Sequence, residues 1–248
     1  QNPENPEKTI KTGNPLPFPG PWPWYADPEA HLFAHTGPAN QPPTQNYWLY
    51  PTYSAAYEQQ TFFDAFSSPD LVTWTKHPTV LNITQIPWST NRAAWAPSVA
   101  RRPLKPSTPK KYEYEYYMYF STGDGTGIGV ARSTTNSPAG PFADALGRPL
   151  VNGTVMGAEA IDAQVFVDYP APNQNSGDAE WDAEVQGGTP RVWLYFGGWG
   201  HAVVVEVDAE SMTALKGQFV EITPPEYVEG PWVLKRKGVY YFMYSVGG

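Results

Sequence analysis

Short apolar and aromatic runs, broken by clusters of Gly, Pro, Asn and Asp, recur along the chain from about residue 25. Runs of this kind predict β-strands joined by turns, and no segment combines helix caps with a 3.6-residue apolar stripe. The stretch Asp208–Lys216 has room for one helical turn. Residues 1–24 are rich in proline and lack periodicity, so we interpret them as an extended arm that precedes a β-domain over residues 25–248.

One aromatic-rich strand recurs four times, at Tyr47–Tyr50, Tyr116–Phe120, Val192–Phe196 and Tyr240–Tyr244. A further strand follows each of the first three, at Thr61–Ser67, Gly127–Ser133 and Ala202–Val207. A short strand precedes each of the four. When Asp27, Pro97, Asp162 and Glu229 are taken as markers of these first strands, successive units are 70, 65 and 67 residues apart.

A near-constant period with several antiparallel strands per unit predicts an all-β fold, the β-propeller, because sandwiches do not repeat a whole multi-strand unit. Three units are complete, and the fourth stops at Gly248 after its second strand. Since a propeller must close to protect its edges, we expect this chain to be part of a longer protein. Two insertions, Pro103–Lys111 and Tyr169–Pro190, are expected to form solvated surface loops.

Three acidic residues, Asp27, Asp162 and Glu229, stand at equivalent places in the first, third and fourth units. Because the first strand of each blade lines the central axis, the fold would gather these carboxylates at one end of the channel. Mutual repulsion and burial would raise the pKa of at least one of them. One protonated and one ionised carboxyl group is what cleavage of a glycosidic bond requires. The alternative is structural, with each residue capping a turn or accepting backbone hydrogen bonds.

Trp95 stands at the corresponding axial place in the second unit, where there is no carboxylate. Sugar rings stack their flat C–H faces on aromatic side chains, so we expect Trp95 to bind substrate.

Composition excludes some classes of partner and of chemistry. With 16 Lys plus Arg against 24 Asp plus Glu, the net charge of −8 disfavours nucleic acid and anionic membranes as partners. The absence of cysteine excludes disulfides and a Cys nucleophile, and the four His show no metal-ligand spacing. The polar start of the chain and the sequons at Asn82 and Asn152 favour a secreted glycoprotein.

The motifs Tyr25–Pro28, Trp95–Ser98, Ile161–Ala163, Glu229–Pro231 and Phe66–Trp74 together resemble glycoside hydrolase family 43, from about residue 25 to the end of the chain. The resemblance implies a five-bladed propeller, of which this chain would cover about three blades and part of a fourth. It also implies an inverting glycosidase, with Asp27 as general base, Glu229 as general acid and Asp162 as the carboxylate that tunes and orients the acid. No cofactor is required, although a structural Ca²⁺ or Na⁺ in the channel is implied as well.

We therefore expect a secreted, monomeric hydrolase that acts on plant cell-wall polysaccharide. An α-L-arabinofuranosidase is favoured, then a β-xylosidase, and endo-arabinanase and exo-galactanase activities stay open. The competing hypotheses are a non-catalytic carbohydrate-binding propeller and a surface-interaction scaffold.

Overall fold

The computed structural model describes residues 24–35, 44–104, 114–123, 127–169 and 189–247. The expected N-terminal arm, except for Trp24 at the start of the first strand, and most of the two expected surface loops lie outside these residues. Within them the protein is built from strands, with short 3-10 turns at Tyr57–Gln59 and Ile83–Gln85. No helix in the described ranges is long and apolar enough to cross a membrane.

The strands form consecutive antiparallel sheets, as the repeat predicts. The first sheet contains β1 (Trp24–His35), β2 (Thr44–Ser54), β3 (Phe62–Ser68) and β4 (Thr75–Asn82). The second contains β5 (Trp95–Pro103), β6 (Tyr114–Thr122), β7 (Gly127–Ser133), β8 (Phe142–Asp144) and β9 (Val151–Asn152). The hairpin of β10 (Thr154–Val155) and β11 (Ala158–Glu159) leads to the third sheet. That sheet contains β12 (Gln164–Asp168), β13 (Arg191–Phe196), β14 (Val203–Val207) and β15 (Leu215–Glu221), and β16 (Tyr227–Arg236) pairs with β17 (Val239–Val246) in the last.

These sheets confirm the predicted propeller architecture, with three blades and the first two strands of a fourth. The four predicted aromatic strands lie within β2, β6, β13 and β17. The outermost strands β4, β8 and β15 were not predicted. Most side chains of β4 and β15 are exposed or half-buried, so these strands lack the apolar runs by which a buried strand is recognised.

The core lies between the blades, and β6 shows why its sequence is aromatic throughout. Tyr116, Met118 and Phe120 pack into a cluster shared with the first blade. Tyr117 and Tyr119 pack into a second cluster shared with the third blade. Successive side chains of a strand point to opposite faces, so a strand buried on both faces loses the usual apolar–polar alternation.

A repeated polar contact joins the first strands of neighbouring blades. Glu29 on β1 accepts hydrogen bonds from Ser98 Oγ (2.7 Å) and from the Val99 N–H (2.6 Å) of β5. Ser98 Oγ in turn accepts from the Val165 N–H of β12 at 2.9 Å.

The third contact of this kind runs from β12 to β16. The Gln164 side chain accepts from the Val233 N–H (2.9 Å) and donates to the Val233 carbonyl (3.0 Å). We call Glu29, Ser98 and Gln164 the inter-blade residues. Their contacts fix the relative positions of four first strands, and hence of the residues that start them.

Candidate active site

The first strands of the first, second and fourth blades each carry a two-residue β-bulge near their start, and the matching pair of the third blade lies just before β12. The bulge pairs are Asp27-Pro28, Ala96-Pro97, Asp162-Ala163 and Gly230-Pro231, and in the first, second and fourth blades the strand register shifts across them. The first residue of every pair has a left-handed backbone, with φ of 47°, 41°, 54° and 68° in chain order. Proline suits the second position, since its missing N–H costs no ladder hydrogen bond there. Bulges re-aim side chains, and the residues of all four pairs face one shared cavity.

The register corrects the predicted equivalence of the three acids. Asp27 and Asp162 are both first bulge residues, whereas Glu229 immediately precedes its bulge residue, Gly230. Trp95 pairs with Ser121 as Glu229 pairs with Ser245, so Trp95 corresponds to Glu229 and not to Asp27. A repeat that is aligned on Pro or acidic residues cannot detect this one-residue offset. A bulge changes which residues pair between strands, but the sequence pattern does not show where it begins.

The structure nevertheless brings all three acids to one cavity of about 280 Å³. The bulges of the four blades line it, and so do the three inter-blade residues, together with Trp232 and Ser245. Ligand cavities begin at roughly 300 Å³, so this one suits a single monosaccharide ring.

Asp162 is the most enclosed of the three carboxyl groups. Burial, followed by the negative charges of Glu229 and Asp27, raises its pKa to about 7, although a hydrogen bond from the Gly230 N–H opposes part of the rise. The expectation that at least one pKa in the cluster is raised is met at Asp162. The cluster therefore keeps one proton up to near-neutral pH, and this titration belongs to the coupled group rather than to one side chain.

Asp27 and Glu229 differ from Asp162 in being exposed to the cavity. An exposed carboxylate can reach a water molecule, and an exposed carboxyl group can reach the oxygen of a glycosidic bond. The tyrosine Tyr227 lies beneath them: its hydroxyl donates to the Gly197 carbonyl at 2.6 Å. Burial raises its pKa, and so do the charges of Asp162 and Glu229, so Tyr227 stays neutral and adds no charge to the site.

Trp95 is not among the residues that line the cavity. Its indole N–H donates to Gln60 Oε1 at 2.5 Å, and its ring packs edge to face against Tyr57 at 5.2 Å between centroids. The half-buried indole thus stands beside the cavity rather than inside it, and its role in substrate binding stays a prediction.

The structural Ca²⁺ or Na⁺ that the family resemblance implies stays a prediction. No three His, Cys, Asp or Glu residues of the described ranges form a group that could hold a metal ion. Ca²⁺ is also bound by backbone carbonyl oxygens and water, and no step of the chemistry below involves an ion.

Comparison with known proteins places this geometry in a family. Residues 43–248 match the family model of the glycosyl hydrolases family 43. This chain belongs to glycosyl hydrolase family 43. The resemblance inferred from the sequence motifs is therefore confirmed.

Individual members of family 43 match most of this chain. A β-D-galactofuranosidase of Aspergillus niger is 62% identical over 238 residues, which are 96% of this chain and 60% of that protein. The chain thus spans about 60% of the length of this curated relative.

Solved structures of family 43 enzymes share the fold. The arabinoxylan arabinofuranohydrolase of Bacillus subtilis, solved with cellotetraose, matches with a TM-score of 0.66 at 23% identity, over 90% of this chain and 46% of its own. An α-L-arabinofuranosidase of Clostridium thermocellum matches with a TM-score of 0.56 at 26% identity, over 88% of this chain and 64% of its own.

Sequence reasoning missed the residues that hold the three acids in place. The inter-blade residues Glu29, Ser98 and Gln164 each lie two positions after a first bulge residue, so a correctly phased repeat would have found them. Two hydroxyl groups, of Thr52 and Ser121, hold the backbone of the next blade's bulge, and the register alone identifies them.

Proposed function

We propose that this protein is an inverting glycosidase that releases a terminal furanosyl residue, L-arabinofuranose or D-galactofuranose, from a polysaccharide. One observation carries the proposal: Asp27, Asp162 and Glu229, from three different blades, line one cavity of about 280 Å³, and their charges interact. A fold gains no stability by facing three carboxylates toward each other, so the arrangement is best explained by chemistry.

In the proposed reaction, Asp27 accepts a proton from a water molecule as the water oxygen attacks the anomeric carbon. Glu229 donates its proton to the glycosidic oxygen as the bond from that oxygen to the anomeric carbon breaks. The charges of Asp162 and Glu229 interact, so the proton that the coupled cluster retains is available to Glu229 when the bond breaks. We expect the Asp27 and Glu229 carboxyl groups to lie roughly 6.5–9.5 Å apart with substrate bound, which leaves room for the water.

The preference for furanosides has two supports. The relative from Aspergillus niger, at 62% identity, is named a β-D-galactofuranosidase, and one structural neighbour above 25% identity is named an α-L-arabinofuranosidase. These two sugars share the configuration of every ring carbon, and galactofuranose differs by one extra CHOH group outside the ring. β-Xylosides are the second substrate class to test. Secretion, glycosylation and a monomeric state stay predictions from the sequence.

The test is hydrolysis of α-L-arabinofuranosides, β-D-galactofuranosides and β-D-xylosides by the protein, with the first-formed anomer identified by proton NMR. We expect furanoside turnover with inversion. A product that first forms with retained configuration would exclude this mechanism. No turnover of any of the three, combined with measurable binding of oligosaccharides, would favour the carbohydrate-binding alternative.

A further inference from the structure

Trp199 has a conformation and an exposure that packing does not explain. Its side chain is 75% exposed, the highest value among the exposed large apolar residues of the described ranges, and its φ of 55° lies in the left-handed region. That region is costly for a bulky side chain, and such strain persists only where the surrounding structure enforces it.

The turn that carries Trp199, residues 197–201, is hydrogen-bonded to the residues that precede two of the proposed catalytic acids. The Gly197 N–H donates to the carbonyl of Ile161, the residue before Asp162, at 3.0 Å. The Gly200 N–H donates to the carbonyl of Val228, the residue before Glu229, also at 3.0 Å.

Close packing keeps this turn rigid. A Cβ atom at Gly197 would lie 2.1 Å from the His201 carbonyl oxygen, and one at Gly198 would lie 2.5 Å from Ile161 Cδ1. Glycine is therefore required at Gly197, where the close atom belongs to the backbone, whereas a side chain at Gly198 would displace the end of the Ile161 side chain. The turn holds its exposed indole in a defined place, as a preorganised binding surface needs.

The topology places the turn at the channel mouth. β13 is antiparallel to β12 and ends at Phe196, so the turn that follows lies at the end where β12 begins, next to Asp162. Trp199 itself does not line the monosaccharide cavity. It stands outside that cavity, and its turn is bonded to the residue before Glu229.

We propose that Trp199 is the stacking platform for the sugar on the leaving-group side of the cleaved bond. This inference rests on the proposed function, since Glu229 as general acid must face the leaving oxygen. A sugar attached through that oxygen extends from the cavity past Glu229 toward the 197–201 turn. The exposed indole face offers it the flat apolar contact that a pyranose ring of the polysaccharide backbone stacks on.

The experiment compares two substrates in Trp199→Ala, Trp199→Phe and the parent protein. Methyl α-L-arabinofuranoside has a leaving group too small to reach Trp199, whereas arabinofuranosyl-substituted xylotriose places a sugar ring there. For Trp199→Ala we expect KM for the substituted xylotriose to rise by roughly five- to tenfold, the size of an aromatic stacking contact. The methyl furanoside should be cleaved with unchanged kcat and KM, and Trp199→Phe should recover part of the lost affinity.

Val220→Ala serves as the matched control, because Val220 is also exposed but lies on β15, the outermost strand of the same blade. An unchanged KM for the substituted xylotriose in Trp199→Ala would overturn the inference while leaving the proposed function intact. An equal fall in kcat/KM on both substrates would also overturn the inference, because it would mean that the substitution disturbs the catalytic cluster.

A binding measurement separates the inference from the proposed function. Titration of Glu229→Gln, with and without Trp199→Ala, with substituted xylotriose reports stacking without turnover. If neither substrate is hydrolysed but Trp199→Ala weakens this binding, Trp199 stacks on sugar, and the hydrolase proposal fails together with the leaving-group assignment. Equal binding by the two proteins, or no binding by either, overturns the platform.

Discussion

The Asp162 N–H donates a hydrogen bond of 3.0 Å to Ser121 Oγ, a hydroxyl on the second strand of the preceding blade. The same contact occurs one blade earlier, where the Ala96 N–H donates to Thr52 Oγ1 at 2.7 Å. The repeat has thus preserved one backbone anchor in two places. One anchor holds a carboxylate of the cavity, and the other holds an alanine.

This pair of anchors allows a controlled test of positioning. Ser121→Ala and Thr52→Val each leave one bulge N–H without its acceptor, and both hydroxyl groups are buried, so each should lower the free energy of unfolding by about 1–3 kcal/mol. Only Ser121→Ala frees the backbone of Asp162. We expect kcat to fall roughly 10- to 100-fold in Ser121→Ala and to stay near the parent value in Thr52→Val.

Steady-state kinetics and urea denaturation of both variants check this prediction. Equal effects on kcat would mean that the Ser121 contact supports the fold and has no specific part in positioning Asp162. A change in KM without a change in kcat would also contradict the positioning role.

Glu229 should be required for turnover but not for binding. Glu229→Gln keeps the shape of the side chain and removes the proton that the leaving oxygen needs, so kcat should fall by roughly 10²- to 10⁴-fold. Substrates with a leaving group of low pKa, such as dinitrophenyl glycosides, should lose much less, because their leaving oxygen departs without protonation.

The matched control is Glu226→Gln, since Glu226 is an exposed glutamate three residues earlier that does not line the cavity. Its kinetics should equal those of the parent. Undiminished turnover in Glu229→Gln would remove this residue from the role of general acid.

The repeat, the strand order and the identity of the three cavity acids could be predicted from the sequence, because all three follow from a pattern with a period of about 67 residues. The position of each acid relative to the bulge could not be predicted, since Glu229 and Asp162 both lie near the start of a first strand and differ by one residue in register. Trp199 escaped notice because an exposed aromatic residue between glycines resembles an ordinary turn until its neighbours are known.

The raised pKa of Asp162 should make the protein less stable as pH rises. The native carboxyl group titrates near 7 and an unfolded one near 3.8, so the folded state binds more protons across this interval. Stability from this group is fully present below about pH 4 and declines up to about pH 7, by at most about 1.4 kcal/mol per pH unit. The Asp162→Asn variant has no carboxyl group at this position. Its free energy of unfolding should therefore rise relative to that of the parent through this pH interval, and the difference should then stay constant.

Urea denaturation at pH 4, 6 and 8 measures this difference. Glu210→Gln, which removes an exposed acid remote from the cavity lining, should show no such growth. If the advantage of Asp162→Asn is the same at all three pH values, the pKa of Asp162 is the same in the folded and unfolded protein, and the charge coupling in the cavity is weak.

Ser98 should be the most sensitive of the inter-blade residues, because its hydroxyl links three blades at once. It donates to Glu29 and accepts from the Val165 N–H, and its side chain is almost fully buried. Ser98→Ala leaves a buried carboxylate and a buried N–H each short of one partner, so we expect the free energy of unfolding to fall by about 2–3 kcal/mol. Ser54→Ala, at the exposed end of β2, should change it by less than about 0.5 kcal/mol. Denaturant unfolding measures the free energy of unfolding of both variants. Equal losses in Ser98→Ala and Ser54→Ala would mean that the apolar clusters alone hold the blades together.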